Sequence, residues 1–237
     1  MQHLNTSIVP KKMKKASLIL CILLSLSSYA QSGYKFKKTI YGYTLDQITL
    51  LTTQVDTTYY IEDMILKIWR PDSTVSDTAI AMGYYGYVLQ PDYNPDRFLS
   101  LELKIMALND NKEWKKALKY ADSLISYYPT CLMGHVEISH AYNSLTDTIR
   151  AKQHRIIYER LGNMILKSGD GKSMETAYII TGLKDIEVLT QLQRMQIKKR
   201  VRKRKKKHTY EVVTVFKDFE QFDLYFDTSL IQEFRRF

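Results

Sequence analysis

The chain has 237 residues, 18 of them tyrosine, with only nine glycines and five prolines, which excludes a low-complexity or linker-dominated protein. Its formal charge of +10 is local, since four lysines lie in the first thirty residues and nine cations lie between Lys198 and Lys207. The rest is slightly acidic, so the basic pI is no argument for nucleic-acid binding, and two cysteines exclude a scaffold built on disulfides.

The N-terminus reads as an address. Lys14-Lys15 precede an apolar run from Ala16 to Leu26, and Ser27-Ser-Tyr-Ala30 follows, with small residues at the −3 and −1 positions Ser28 and Ala30. This order predicts a secretory signal peptide over 1–30, cut between Ala30 and Gln31, with Met13 an alternative start. The run is about 11 residues, short of the roughly 20 that span a bilayer, so no transmembrane span is expected after cleavage. Cys21 lacks the preceding small residue of a lipoprotein signal. The mature chain is then expected in the periplasm, at the outer membrane or outside the cell.

Residues 31–43 read as an exposed leader, and 44–169 as a helical region. Leu45, Ile48, Leu51 and Val55 recur at helical spacing, Asp56-Thr-Thr58 interrupts them, and Ile61 to Trp69 resumes the pattern. A short helix is predicted from Ser76 to about Met82, ending at Gly83, with a loop at Gln90–Pro95. Four stripes follow, containing Leu101, Ile105 and Leu108; then Trp114, Ala117, Ala121, Leu124 and Tyr128; then Leu132, Ile138, Tyr142 and Leu145; then Ala151, Tyr158, Leu161 and Ile165. Ala117 and Ala151 are 34 residues apart, the tetratricopeptide period, in which a small residue lets paired helices approach closely. Two tetratricopeptide-like hairpins are therefore expected over 96–167. The repeat is degenerate, with Leu101 and His135 where the motif carries tryptophan, and an unrelated antiparallel bundle would show the same stripes.

After Gly169 the texture changes. Ala177–Thr181 reads as a strand and Lys184–Leu192 as a helix. Met195, Ile197 and Val201 alternate as a half-exposed strand, and Tyr210–Phe216 and Phe222–Phe226 read as two more strands. The expected fold class is α+β: mostly helical tetratricopeptide-like hairpins, then a small antiparallel β-sheet within 170–237.

Ser168-Gly-Asp-Gly-Lys-Ser173, with Glu175-Thr-Ala177 and the terminal Leu224-Tyr-Phe-Asp227, resembles the bacterial domain-of-unknown-function 4919 family. Asp56-Thr-Thr58 and Met82-Gly-Tyr-Tyr-Gly86 extend the resemblance over most of the mature chain. The resemblance implies an exported protein of about this length and no assigned activity. The chain departs from the family pattern in its basic stretch.

Candidate chemistry is sparse. Gly171-Lys172-Ser173 looks like the end of a phosphate loop, but Leu166 stands where the motif needs glycine, and the segment follows a helix and precedes a strand. No nucleotide is expected; Ser168, Gly169, Asp170, Gly171, Lys172, Ser173 and Glu175 read as a structural loop. In that loop Gly169 ends the helix in a left-handed conformation, Asp170-Gly171 turns, and Ser173 fastens the segment. His135 and His140 are five apart, not the four that put two zinc ligands on one helix face, and His154 and His208 lie on other elements. No metal and no cofactor are expected, and Cys131 reads as a small residue at a helix start. Asp56, Glu62 and Asp63 stand near helix starts, where they favour the dipole.

The basic stretch comprises Lys198, Lys199, Arg200, Arg202, Lys203, Arg204, Lys205, Lys206 and Lys207. Such density attracts phosphate or sulfate polymers, although no aromatic residues interleave to stack bases. Behind an export signal the accessible anions are lipids, lipopolysaccharide or host polymers. The charges also suit a solvated hairpin whose edge resists pairing with other strands. The sequence reads as an exported, non-enzymatic envelope protein acting through protein or surface contacts. Its partner is an envelope or secreted protein, or alternatively an anionic surface or polymer bound through residues 198–207.

Overall fold

Side chains that accept the first free amides set most helix starts. In the computed structural model, which describes residues 39–70, 74–90 and 93–233, helix α1 (Leu45–Thr53) opens on a reciprocal cap. Thr44 Oγ1 accepts from the Gln47 amide at 3.2 Å, and the Thr44 amide donates to Gln47 Oε1 at 2.8 Å. Helix α2 (Ile61–Trp69) carries Glu62 and Asp63 in its first turn. Ser76 caps α3 (Asp77–Tyr87), and Asn94 caps α4 (Pro95–Asp110), whose first residue is proline. Helix α5 (Trp114–Tyr127) leads to α6 (Leu132–Ser144), where the Cys131 thiol caps, and Asp147 caps α7 (Thr148–Leu166). The expected signal peptide, its Ala30–Gln31 junction and leader residues 31–38 lie outside the described residues.

Strand β1 (Tyr178–Ile179) and helix α8 (Asp185–Leu192) follow, then strands β2 (Gln196–Lys205), β3 (His208–Lys217) and β4 (Glu220–Asp227), and helix α9 (Ser229–Glu233). The sheet order is β1-β4-β3-β2, with β1 parallel to β4 and the other pairs antiparallel. The protein is α+β, helices first, as expected. The described residues form one compact unit. Within it α4 packs on α5, α5 on α6 and α6 on α7, and α4 also meets α6. Ala117 and Ala151 are both buried.

Several local expectations need correcting. Helix α3 runs through Gly83 to Tyr87 instead of stopping at Gly83. A Cβ on Gly83 would lie 2.6 Å from Ile68 Cδ1 of α2, and one on Gly86 would lie 2.6 Å from Thr52 Cγ2 of α1. The two glycines let α1 and α2 close on α3 and are not stop signals. Val55 lies beyond the end of α1 and is 69% exposed. The exposure expected of the leader fails at Ile40, which is buried beside a turn closed by paired bonds with Tyr43, although Gly42 is exposed. Gly169 does not take the left-handed conformation; that falls to Gly171, at φ 69°. What Gly169 provides is room, since a Cβ there would lie 2.2 Å from the Thr176 carbonyl oxygen.

The sheet is two-sided. Val213, Val215, Leu224 and Phe226 are sealed on one face. On the other, Tyr210 and Val212 are buried, while Thr214 and Tyr225 are half-buried and Phe216 is exposed.

Candidate functional site

Strand β2 is a free edge of the sheet, bonded only to β3. A two-residue turn at 206–207, with Lys206 at φ 57°, fixes the register that sets Arg202 opposite Glu211 and Lys203 opposite Tyr210. Side chains alternate across a strand. Arg200, Arg202 and Arg204 therefore share the face of Glu211 and Val213, while Lys199, Val201, Lys203 and Lys205 share that of Tyr210 and Val212.

The nine cations divide into two groups. Arg200 Nε lies 3.0 Å and Arg202 Nε 2.7 Å from the two oxygens of Glu211, whose side chain is only 4% exposed. Arg200 also reaches Glu187 of α8 at 3.6 Å. These arginines neutralise a buried carboxylate and fasten the edge strand to the body. Lys205 pairs with Glu175 at 2.6 Å, and Lys198 donates to Gln196 at 2.7 Å and lies over the Phe216 ring. Lys199, Lys203, Arg204, Lys206 and Lys207 make no ion pair with the described residues. All five are exposed.

The loop at 168–175 meets this strand through the Glu175–Lys205 pair. Several of its polar groups bond within the loop. The Asp170 and Gly171 amides donate to the Thr176 carbonyl, the Lys172 amide donates to Asp170 Oδ1, and the Thr176 amide donates to Ser173 Oγ. Outward, Ser168 Oγ accepts from the Ile179 amide, and the Gly171 carbonyl accepts from the Tyr225 amide. The loop thus splices the end of α7 to β1 and β4, with the amides of Asp170, Gly171 and Lys172 bonded inside it.

A second polar cluster lies between the end of β1 and the start of α8, and the sequence did not reveal it. Tyr84 donates to Asp185 Oδ2 at 2.5 Å, and the Gly182 amide donates to the same oxygen at 2.8 Å. The Thr181 amide donates to the Tyr84 hydroxyl, Tyr93 donates to the Thr181 carbonyl, and Tyr128 bonds the Thr181 hydroxyl. Nearby, the Cys131 thiol donates to Glu102 at 3.0 Å. Burial pushes Glu102 up to about 8 and Asp185 up to about 7, and pushes the Cys131 thiol up as well. The adjoining cavity, lined by Tyr93, Phe98, Glu102, Tyr128, Thr181 and Gly182 among others, has room for about one water. Glu102 lines this space, and both carboxylates are almost fully buried.

Two of the histidines, assigned by sequence to separate elements, touch across α6 and α7. His135 Nε2 donates to the Pro129 carbonyl at 3.0 Å, which leaves His135 Nδ1 to accept from His154 Nδ1 at 2.9 Å. Trp69 Nε1 donates to the same carbonyl. Burial lowers His135 to about 3 and His154 to about 4, so both rings are neutral at pH 7. The pair is a packing element. Among the described residues no three histidines, cysteines or carboxylates gather as a metal site.

Glu211 was findable in advance. It is the lone acid in an apolar strand, and a two-residue turn places it against the arginines. Tyr84 and Asp185, 101 residues apart, leave no such signal.

The model of a family described as Domain of unknown function (DUF4919) matches residues 46–236. The chain belongs to that family. The match runs through α1 to β4, and so includes the splice loop, the buried tyrosine cluster and the basic edge of this DUF4919 protein. No curated protein and no solved structure matches it. No helix among the described residues is long and apolar enough to cross a membrane.

Proposed function

We propose that this protein is exported and acts without catalysis, through contacts with an envelope or secreted protein or with a surface, and that the basic edge strand is its contact element. The observation that carries this reading is the division between buried and exposed chemistry. The raised carboxyls of Glu102 and Asp185 are buried, Glu102 beside a space for about one water, whereas five uncompensated cations stand in solvent on β2 and the turn that follows it. The residues before 31 support export by their order of charge and hydropathy. The helices over 96–167 are tetratricopeptide-like in this reading, supported by the buried alanines at a 34-residue spacing, and they offer a second docking surface.

Cell fractionation with mass spectrometry of the N-terminus tests export. A chain beginning at Gln31 outside the cytosol is expected; intact chain beginning at Met1 or Met13 in the cytosol refutes it. Capture of envelope proteins by the mature form, lost at high salt, is the expected mark of the basic contact.

A second reading, binding of anionic surfaces or polymers, is favoured by the same five free cations. Changing Lys199, Lys203, Arg204, Lys206 and Lys207 to glutamine should reduce the salt slope of heparin binding by about 3 to 4. An unchanged slope removes this reading.

A further inference from the structure

We propose that β2 accepts an extended acidic polypeptide segment as a fifth strand of the sheet, a partner more specific than any polyanion. The inference rests on the reading of the basic edge as the contact element. Strand β2 is regular from Lys199 to Lys205, a stretch of roughly 20–23 Å, and β3 engages only one of its sides. The outward N–H and C=O groups of an edge strand are a template for pairing. Its side chains project to the two faces and leave that backbone edge open.

Charge decides the occupant. A second copy of β2 would set like charges against each other, which is destabilising. A flat anionic surface could meet only one row at a time, because Lys199 and Lys203 face opposite to Arg204. An added strand meets both rows at once. The positions are also unequal: Arg200, Arg202 and Lys205 are already paired with acids of the chain, and Val201 is 38% exposed between Lys199 and Lys203. An antiparallel partner would place acids opposite Lys199, Lys203 and Arg204, a β-branched apolar residue opposite Val201, and neutral residues elsewhere. Running from Lys205 back to Lys199, that pattern reads Thr-Glu-Glu-Thr-Val-Thr-Glu.

The capped peptide of this sequence, titrated against the full chain, tests the proposal. Two versions N-methylated at alternate residues separate pairing from charge, since each removes the donors along one edge of the peptide only. One version should bind at least tenfold more weakly than the parent, and the other should match it. Peptide binding should also slow amide exchange within Lys199–Lys205. Lys203→Glu should weaken the parent about tenfold, and a peptide with lysine at the opposing position should restore binding. Equal binding by both N-methylated forms, or by a scrambled peptide, would overturn strand addition and leave a purely electrostatic edge. Failure of every peptide to bind would also overturn it. Export is read separately by fractionation, so its failure is distinguishable from either outcome.

Discussion

Three buried side chains and the half-buried His154 give the protein opposing pH dependences. Burial raises Glu102 to about 8 and Asp185 to about 7, and lowers His135 to about 3 and His154 to about 4. An acid whose folded value is raised keeps its proton in the native state after the unfolded chain has released it, so stability falls as pH rises from about 4.5 to about 8. A histidine whose folded value is lowered stays neutral while the unfolded chain protonates, so stability falls as pH drops from about 6.5 to about 3. Between about 4.5 and 6.5 the two pairs cancel, and a stability plateau is expected there. Glu102→Gln should flatten the alkaline side by up to about 1.4 kcal/mol per pH unit between pH 6.5 and 8, make the plateau between about 4.5 and 6.5 rise with pH by the same slope, and leave the region below about 4.5 unchanged. Urea midpoints across pH measure this, and an equal alkaline loss in the variant would show that Glu102 is ionised in the folded chain.

At the scale of elements, the glycines of α3 separate two effects. Alanine gains helix propensity over glycine by about 1 kcal/mol, but its Cβ needs space. At Gly83 the nearest atom is Ile68 Cδ1, the far end of a flexible chain, and Met64 Cβ at 3.2 Å need give by only a few tenths of an ångström. At Gly86 it is Thr52, with Cγ2 at 2.6 Å and Cβ at 2.9 Å, a branched side chain that cannot swing aside. Gly83→Ala should be near neutral in thermal melts, and Gly86→Ala should cost about 1–2 kcal/mol net of the propensity gain. Equal melting temperatures would mean that α1 slides freely on α3. These glycines also mark what the sequence could convey. Caps at Thr44, Ser76 and Asn94 and the stripes through Ile105, Leu124 and Leu161 are local patterns, so the elements and the α+β class were legible. A glycine reads as a stop when only its own helix is considered; that Gly83 and Gly86 face Ile68 and Thr52 depends on the tertiary arrangement. The candidate site divides in the same way. The cations of β2 were visible in sequence, but their sorting into bound and free required the register with Glu211 and the neighbourhood of Glu187 and Glu175.

The molecule as a whole is joined by tyrosine hydroxyls. Tyr84 and Tyr85 on α3, Tyr93 before α4 and Tyr128 after α5 all bond to the segment between Ile179 and Asp185, which carries the end of β1 and the start of α8. Buried hydroxyls need partners, and these found theirs across the boundary between the helical region and the sheet. The sequence divides near Gly169 in composition, yet its polar core does not. A single cooperative unfolding transition is therefore expected for residues 44–169 and 170–237. Fluorescence of Trp69 and Trp114 follows the helical part, and amide exchange in β3 follows the sheet; their denaturant midpoints should coincide. Tyr85→Phe removes the bond to the Ile179 carbonyl and leaves that buried acceptor short of a donor, at a cost of about 1–3 kcal/mol. The substitution should lower both midpoints together. If only the β3 signal moves, the sheet unfolds independently of the helices. The basic edge would then sit on a separable module, and its contacts could be studied without the helical body.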